Sequence, residues 1–137
     1  MLSIGEMSRR TGVKVPTIRF YEDKGLLQAT ARSDGNQRRY DQAALHRLSF
    51  IRHARDLGLP LDDIAALISL EGADGAALDR AHDIARRQQA RLRQRISSLQ
   101  RLEQELDRIA AACDGHHEES CAVLHAFGDH GPCAGQH

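Results

Sequence analysis

The side chains best equipped for chemistry gather at the end of the sequence. All three cysteines, Cys113, Cys121 and Cys133, fall in the last 25 of its 137 residues, with five of its eight histidines: His116, His117, His125, His130 and His137. Soft thiolates beside imidazoles and carboxylates make a metal-binding donor set. Two thiolates suit linear Cu(I), and two thiolates plus an imidazole suit tetrahedral Zn(II). An odd cysteine count argues against a structural disulfide framework. Two other readings use the same residues. Cys113 and Cys121 form a reversible disulfide in a redox sensor, or the histidine-rich end is an incidental polar tail. A zinc enzyme would need a general base beside an open coordination position. Glu118 or Glu119 would be that base, but so short a loop leaves no room for a substrate pocket. Four cysteines are the usual requirement of an iron–sulfur cluster, one more than the chain has.

A second set of candidates lies at the other end. The formal charge is zero overall, 19 basic against 19 acidic side chains. Residues 1–57, however, carry 11 basic and 6 acidic groups, a net of +5. Residues 58–112 carry 8 and 9, and residues 113–137 carry none and 4. A basic segment suits an anionic partner, and nucleic acid is the commonest. Nearly all of the cations are arginine, which grips phosphate through a planar fork and reads guanine by two hydrogen bonds. Apolar residues at 41% support a globular chain and exclude a collagen-like or wholly disordered one. No apolar run approaches the roughly 20 residues of a membrane helix. The first residues lack the basic stretch and apolar run of a signal peptide, so a cytoplasmic location without membrane contact is expected.

The elements that position these residues follow from punctuation and periodicity. Ser3-Ile4-Gly5-Glu6 fits a capping box, so a helix begins near residue 4 and stops at Thr11-Gly12. Val15-Pro16-Thr17 opens a second helix that ends at Lys24-Gly25. Two short helices across a tight turn read as a helix-turn-helix. Asp34-Gly35 signals a hairpin, with Arg32 before it and Arg38, Arg39 and Tyr40 after it, a basic wing able to lie along DNA. Asp41 caps a third helix ending near Leu57-Gly58, and Leu61 to Leu70 forms a short fourth. Glu71 to Gly75 reads as a linker. From about Ala77 to Ala112 there is neither Gly nor Pro, and Ala85, Leu92, Leu99, Leu106 and Cys113 are spaced seven apart. Such a heptad seam, on a helix of roughly 35 residues and roughly 50 Å, asks for a partner helix, by default in a symmetric homodimer. Cys113-Asp114-Gly115 ends it. A short polar loop, about two helical turns over Cys121–Phe127 and a tail from Gly128 follow.

In this order the residues resemble the MerR family of bacterial transcription regulators. The resemblance rests on Ile4-Gly5-Glu6, Thr17-Ile18-Arg19-Phe20-Tyr21-Glu22, Gly25-Leu26, Arg32-Ser33-Asp34-Gly35-Asn36, Arg38-Arg39-Tyr40, and Phe50-Ile51-Arg52 through Arg55-Asp56-Leu57-Gly58. Cys113 and Cys121, bracketing a seven-residue loop, look like the metal-sensing branch. The resemblance implies a mainly α chain. Residues 1–75 would form a winged helix-turn-helix, 76–112 an antiparallel coiled-coil dimerisation helix, and 113–137 a metal-binding loop with a short helix and tail. It also implies a homodimer on double-stranded promoter DNA. Such a dimer twists an overlong spacer so that RNA polymerase engages both promoter elements, and it is not an enzyme.

Carried over by position, the DNA-contact candidates are Arg19 and Tyr21 on the second helix, Arg32, Arg38 and Tyr40 on the wing, and Arg55, with Thr17 and Lys24 beside them. Most would hold phosphate rather than read bases. Tyr40 has an alternative place in the core at the base of the wing. The expected metal ligands are Cys113 and Cys121, with His116, His117 and the partner chain's own copy of His82 as further candidates. Divalent-ion sensors of the family place a cysteine near the start of the long helix, and copper sensors a serine. Counting back from Cys113, that position is Leu78, which cannot ligate. The expectation is Zn(II) or another divalent heavy-metal ion, because the loop adds imidazoles and carboxylates. Cu(I) is the alternative.

Overall fold

The computed structural model describes residues 1–112 and 122–128. Its element order is β1 (Leu2–Ser3), α1 (Ile4–Thr11), α2 (Val15–Asp23), β2 (Ala31–Arg32), β3 (Arg38–Tyr40), α3 (Gln42–Asp56), α4 (Leu61–Ser69), α5 (Gly75–Ala111) and α6 (Ala122–Gly128). The chain is mainly helical, and its contacts divide it after Ala85 into two units.

The first unit is built by its caps. Ser3 stands just before α1 and its hydroxyl accepts from the Glu6 N–H at 3.1 Å, one half of the expected capping box. Asp41 does the same for α3, accepting from Ala44 N–H at 2.9 Å. Gly12 ends α1 with a left-handed φ of 77°, and its N–H returns to the Ser8 carbonyl. Pro16 sits in the first turn of α2, where its missing N–H costs nothing.

The three strands form one antiparallel sheet in the order β1-β3-β2. Leu2 faces Tyr40 and Ser3 faces Arg39, while Ala31 faces Arg39 and Arg32 faces Arg38. Periodicity suggested only the β2–β3 hairpin; the pairing of residues 2 and 3 joins segments almost forty positions apart and leaves no local signal. The turn also differs in detail. Asn36 N–H bonds to Ser33 O at 2.8 Å, and Asn36, not the Asp34-Gly35 pair, takes the left-handed conformation with φ of 63°. Asparagine tolerates that region at low cost.

Met7, Ile18, Tyr40, Leu48, Ile51 and Ile64 are fully buried and form the centre of the core, where the helix-turn-helix, the wing strand and α3 meet. Ile84 joins the same cluster, which is why this unit extends into the first turns of α5. In the second unit, α5 continues unbroken to Ala111, with Ile109 and Ala126 buried. Leu92, Ile96, Leu99 and Leu106, along the heptad seam, are all exposed in the single chain.

Candidate nucleic-acid interface

The outward face of α2 carries Pro16, Arg19, Phe20, Asp23 and Lys24, all exposed. Its inward face is Ile18 and Tyr21, which pack in the core. This division follows from the 3.6-residue period: 16, 19, 20, 23 and 24 share one side of the helix. Lys24 lies over the Phe20 ring, with Nζ 5.5 Å from its centroid. Thr17, half-buried, lies in the first turn. Arg32 reaches the Asn36 carbonyl at 3.1 Å across the wing turn and remains exposed. A cleft of about 300 Å³, lined by Ser3, Ile4, Arg19, Asn36, Gln37 and Arg38, joins α2 to the wing. Arg19 of α2 and Arg38 of the wing are thereby brought together. Arg55, at the end of α3, is exposed and donates to the Leu59 carbonyl at 2.9 Å.

Three candidates take other places than a free surface. Tyr21 is only 6% exposed, its ring part of the core. Tyr40 has no exposure at all, and its hydroxyl donates to Glu22 Oε1. Arg38 is paired, its Nε donating to Glu22 Oε2 at 2.7 Å. For Tyr40 this is the core position at the base of the wing, the alternative place expected for it. Residue 21 faces inward with residue 18, as the helical period places it.

One residue that sequence reasoning passed over organises this corner. Glu22 of α2 accepts from both Arg38 and Tyr40 of β3, so one carboxylate ties the recognition helix to the wing. Burial, then the Glu22 hydrogen bond and charge, push the Tyr40 hydroxyl well above the usual tyrosine range, against the opposing pull of Arg38 and Arg19. Arg52 is a second such residue: its Nη1 donates to the Thr11 carbonyl, fastening α3 to the turn between α1 and α2. Both act across long sequence separations, and their only signal was membership of the motif.

The thiol candidates Cys113 and Cys121, and His116 and His117, lie outside the described residues, as does Cys133. His82 is exposed on α5 with Asp79, and Leu78 is 63% exposed. Among the described residues no three His, Cys, Asp or Glu converge into a metal-holding group. No helix of those residues is long and apolar enough to cross a membrane.

Two short helices packed on one core, an antiparallel wing and a cationic outward helix face define a winged helix-turn-helix DNA-binding protein. Comparison with known proteins narrows the class. Residues 2–71 match the model of the MerR HTH family regulatory protein, and residues 45–109 match that of MerR, DNA binding. A mercuric resistance operon regulatory protein of Pseudomonas fluorescens is 36% identical over 124 residues, covering 90% of this chain and 85% of its own. The HTH-type transcriptional regulator ZntR of Escherichia coli K12 is 33% identical over 130 residues, covering 93% and 92%. The crystal structure of the transcription regulator PbrR691 from Ralstonia metallidurans CH34, in complex with lead(II), superposes with a TM-score of 0.75 at 35% identity, covering 93% of this chain and 99% of that one. The chain belongs to the MerR family of helix-turn-helix transcription regulators.

Proposed function

We propose that this chain is a metal-responsive transcription regulator whose effector is Zn(II) or another divalent heavy-metal ion. Cys113 and Cys121 would hold the ion as thiolates, with His116, His117 or the partner's His82 completing its coordination. The donor set carries this reading: two thiols bracket a seven-residue stretch that also holds two imidazoles and three carboxylates, just after a long helix. Relatives named for mercury resistance and a lead(II)-bound relative support it. The division of labour is 1–75 for DNA, 76–112 for dimerisation and 113–137 for the effector.

The exposed seam of Leu92, Ile96, Leu99 and Leu106 supports an antiparallel homodimer, since a lone helix gains nothing by leaving it in water. Each protomer would set α2 in a major groove, with Arg19, Lys24, Thr17, Arg32 and Arg55 on the duplex. The dimer would distort an overlong promoter spacer so that RNA polymerase engages both elements. The bound ion would act by favouring one of two DNA-bound states. Leu78 supports one alternative. With no sulfur or oxygen donor at that position, a two-thiolate Cu(I) site is the second reading.

Native mass spectrometry of the reduced full chain, offered Zn(II) and Cu(I) separately at matched free-metal concentrations, decides between them. A zinc-loaded dimer that loses its metal in Cys113→Ser and Cys121→Ser supports the divalent sensor. Retention of copper alone supports the second reading, and retention of neither rejects both.

A further inference from the structure

We infer that Phe20 reads thymine, through apolar contact with its C5 methyl group, while Lys24 holds the adjacent phosphate. This rests on the reading that α2 enters the major groove.

Phe20 is the one large apolar side chain on the outward face of α2, and it is 43% exposed. Its neighbours Ile18 and Tyr21 are in the core, so the helix does not lack room to bury an aromatic ring. The ring at position 20 instead points away from the core among Arg19, Asp23 and Lys24. A phenyl ring has no hydrogen-bonding atom and cannot read a donor or acceptor. The thymine methyl is the one apolar group that the major groove displays, and apolar side chains meet it there.

Lys24 stands beside the ring. Its ammonium lies 5.5 Å from the ring centroid, over one face. A cation in that place is attracted by the ring's electron density and covers that face. The ring also packs at a tilt on Tyr21, centroid to centroid 6.1 Å, and its exposed remainder is what a base would meet. The ammonium itself is exposed at the end of the helix, so a phosphate approaching the ring approaches the charge as well. The two residues thus divide the work. Lys24 contributes affinity without sequence information, and Phe20 contributes sequence information without charge. Tyr21 cannot substitute for Phe20, because its ring is in the core.

The test uses the full chain and a duplex that the wild-type protein has enriched from a random-sequence library. Each thymine of a half-site is replaced in turn by deoxyuridine, which removes the methyl and nothing else. Affinity is read by fluorescence anisotropy at one fixed salt concentration. At one or two thymines the replacement should weaken wild-type binding by about fourfold, the value of one buried methyl. The same replacement should leave Phe20→Ala unchanged. Phe20→Leu, which keeps an apolar side chain should Phe20→Ala fail to hold the duplex, should show a smaller penalty. Lys24→Ala should keep the full methyl effect and lower the slope of log affinity against log salt by about one. Independent effects of deoxyuridine and Phe20→Ala at every thymine overturn the inference, as does indifference of the wild type to every methyl. Failure of the underlying reading looks different: the salt slope then stays the same in both Arg19→Ala and Lys24→Ala.

Discussion

Removing the Glu22 carboxylate should loosen the wing from the recognition helix at a cost that the structure lets one work out. In Glu22→Ala the Tyr40 hydroxyl, wholly buried, loses its acceptor. An orphaned buried donor costs about 1–3 kcal/mol. The Arg38–Glu22 pair is lost as well, with side chains 30% and 12% exposed. Solvent screening at the arginine end holds that loss to about 0.5–1 kcal/mol. The sum is about 1.5–4 kcal/mol, a large fraction of a small domain's stability. Glu22→Gln keeps an acceptor and should cost about 1 kcal/mol, while Tyr40→Phe keeps the ring in place and should cost about 1–2 kcal/mol. In the Tyr40→Phe background there is no hydroxyl to orphan, so Glu22→Ala should then cost only about 1 kcal/mol. The assay is urea unfolding at one fixed protein concentration, because a dimer's stability depends on it. The chain has no tryptophan and two tyrosines, both in the core of the first unit, so tyrosine fluorescence follows that unit. Helical circular dichroism monitors the whole chain alongside it. A loss below about 0.5 kcal/mol in Glu22→Ala, or strict additivity of the two substitutions, would refute the claim that one carboxylate braces the two elements.

Alkaline titration tests the same corner. The Tyr40 hydroxyl is held above its unfolded value, so its neutral form stabilises the fold fully below pH about 10, and that contribution is lost as pH rises through the folded value. Ultraviolet difference titration of the folded protein against Tyr40→Phe should therefore show Tyr40 un-ionised well above pH 10, and its ionisation in the ordinary tyrosine range would contradict it. Gly12→Ala should destabilise the chain by about 1–3 kcal/mol. Its left-handed backbone strains any residue with a Cβ, and that Cβ would collide with Arg52 Nη1, which bonds the Thr11 carbonyl. Thermal melts should show Gly12→Ala combined with Arg52→Ala losing less than the sum of the two, because removing the guanidinium relieves the collision.

Much of this was legible in the sequence because local rules decide it. Ser3 and Asp41 announced their helices through side chains that satisfy orphan amide groups, and both do so. Gly12 marked a stop that needed a left-handed residue. The long helix showed itself by the absence of Gly and Pro and by its heptads. The places of the proposed DNA contacts were only partly legible. Arg19, Lys24, Arg32 and Arg55 are exposed as their charge suggests, but charge could not reveal that Arg38 is spent on Glu22. Tyr40 and Glu22 are eighteen positions apart, and Arg52 and Thr11 forty-one, distances at which neither periodicity nor capping carries information. The strand at Leu2–Ser3 was invisible for the same reason: two residues gain a partner only when the chain has already folded.

The two lysines have a consequence beyond binding. Lys14 and Lys24 are the only lysines in the sequence, against seventeen arginines, and they stand at the two ends of α2. Reagents that acylate amines therefore find, apart from the α-amino group, targets only on the recognition helix. Acylation would remove positive charge there and leave every arginine intact. Protection of these two amines by a bound duplex would give a chemical footprint of one helix, with no competing signal from any other side-chain amine.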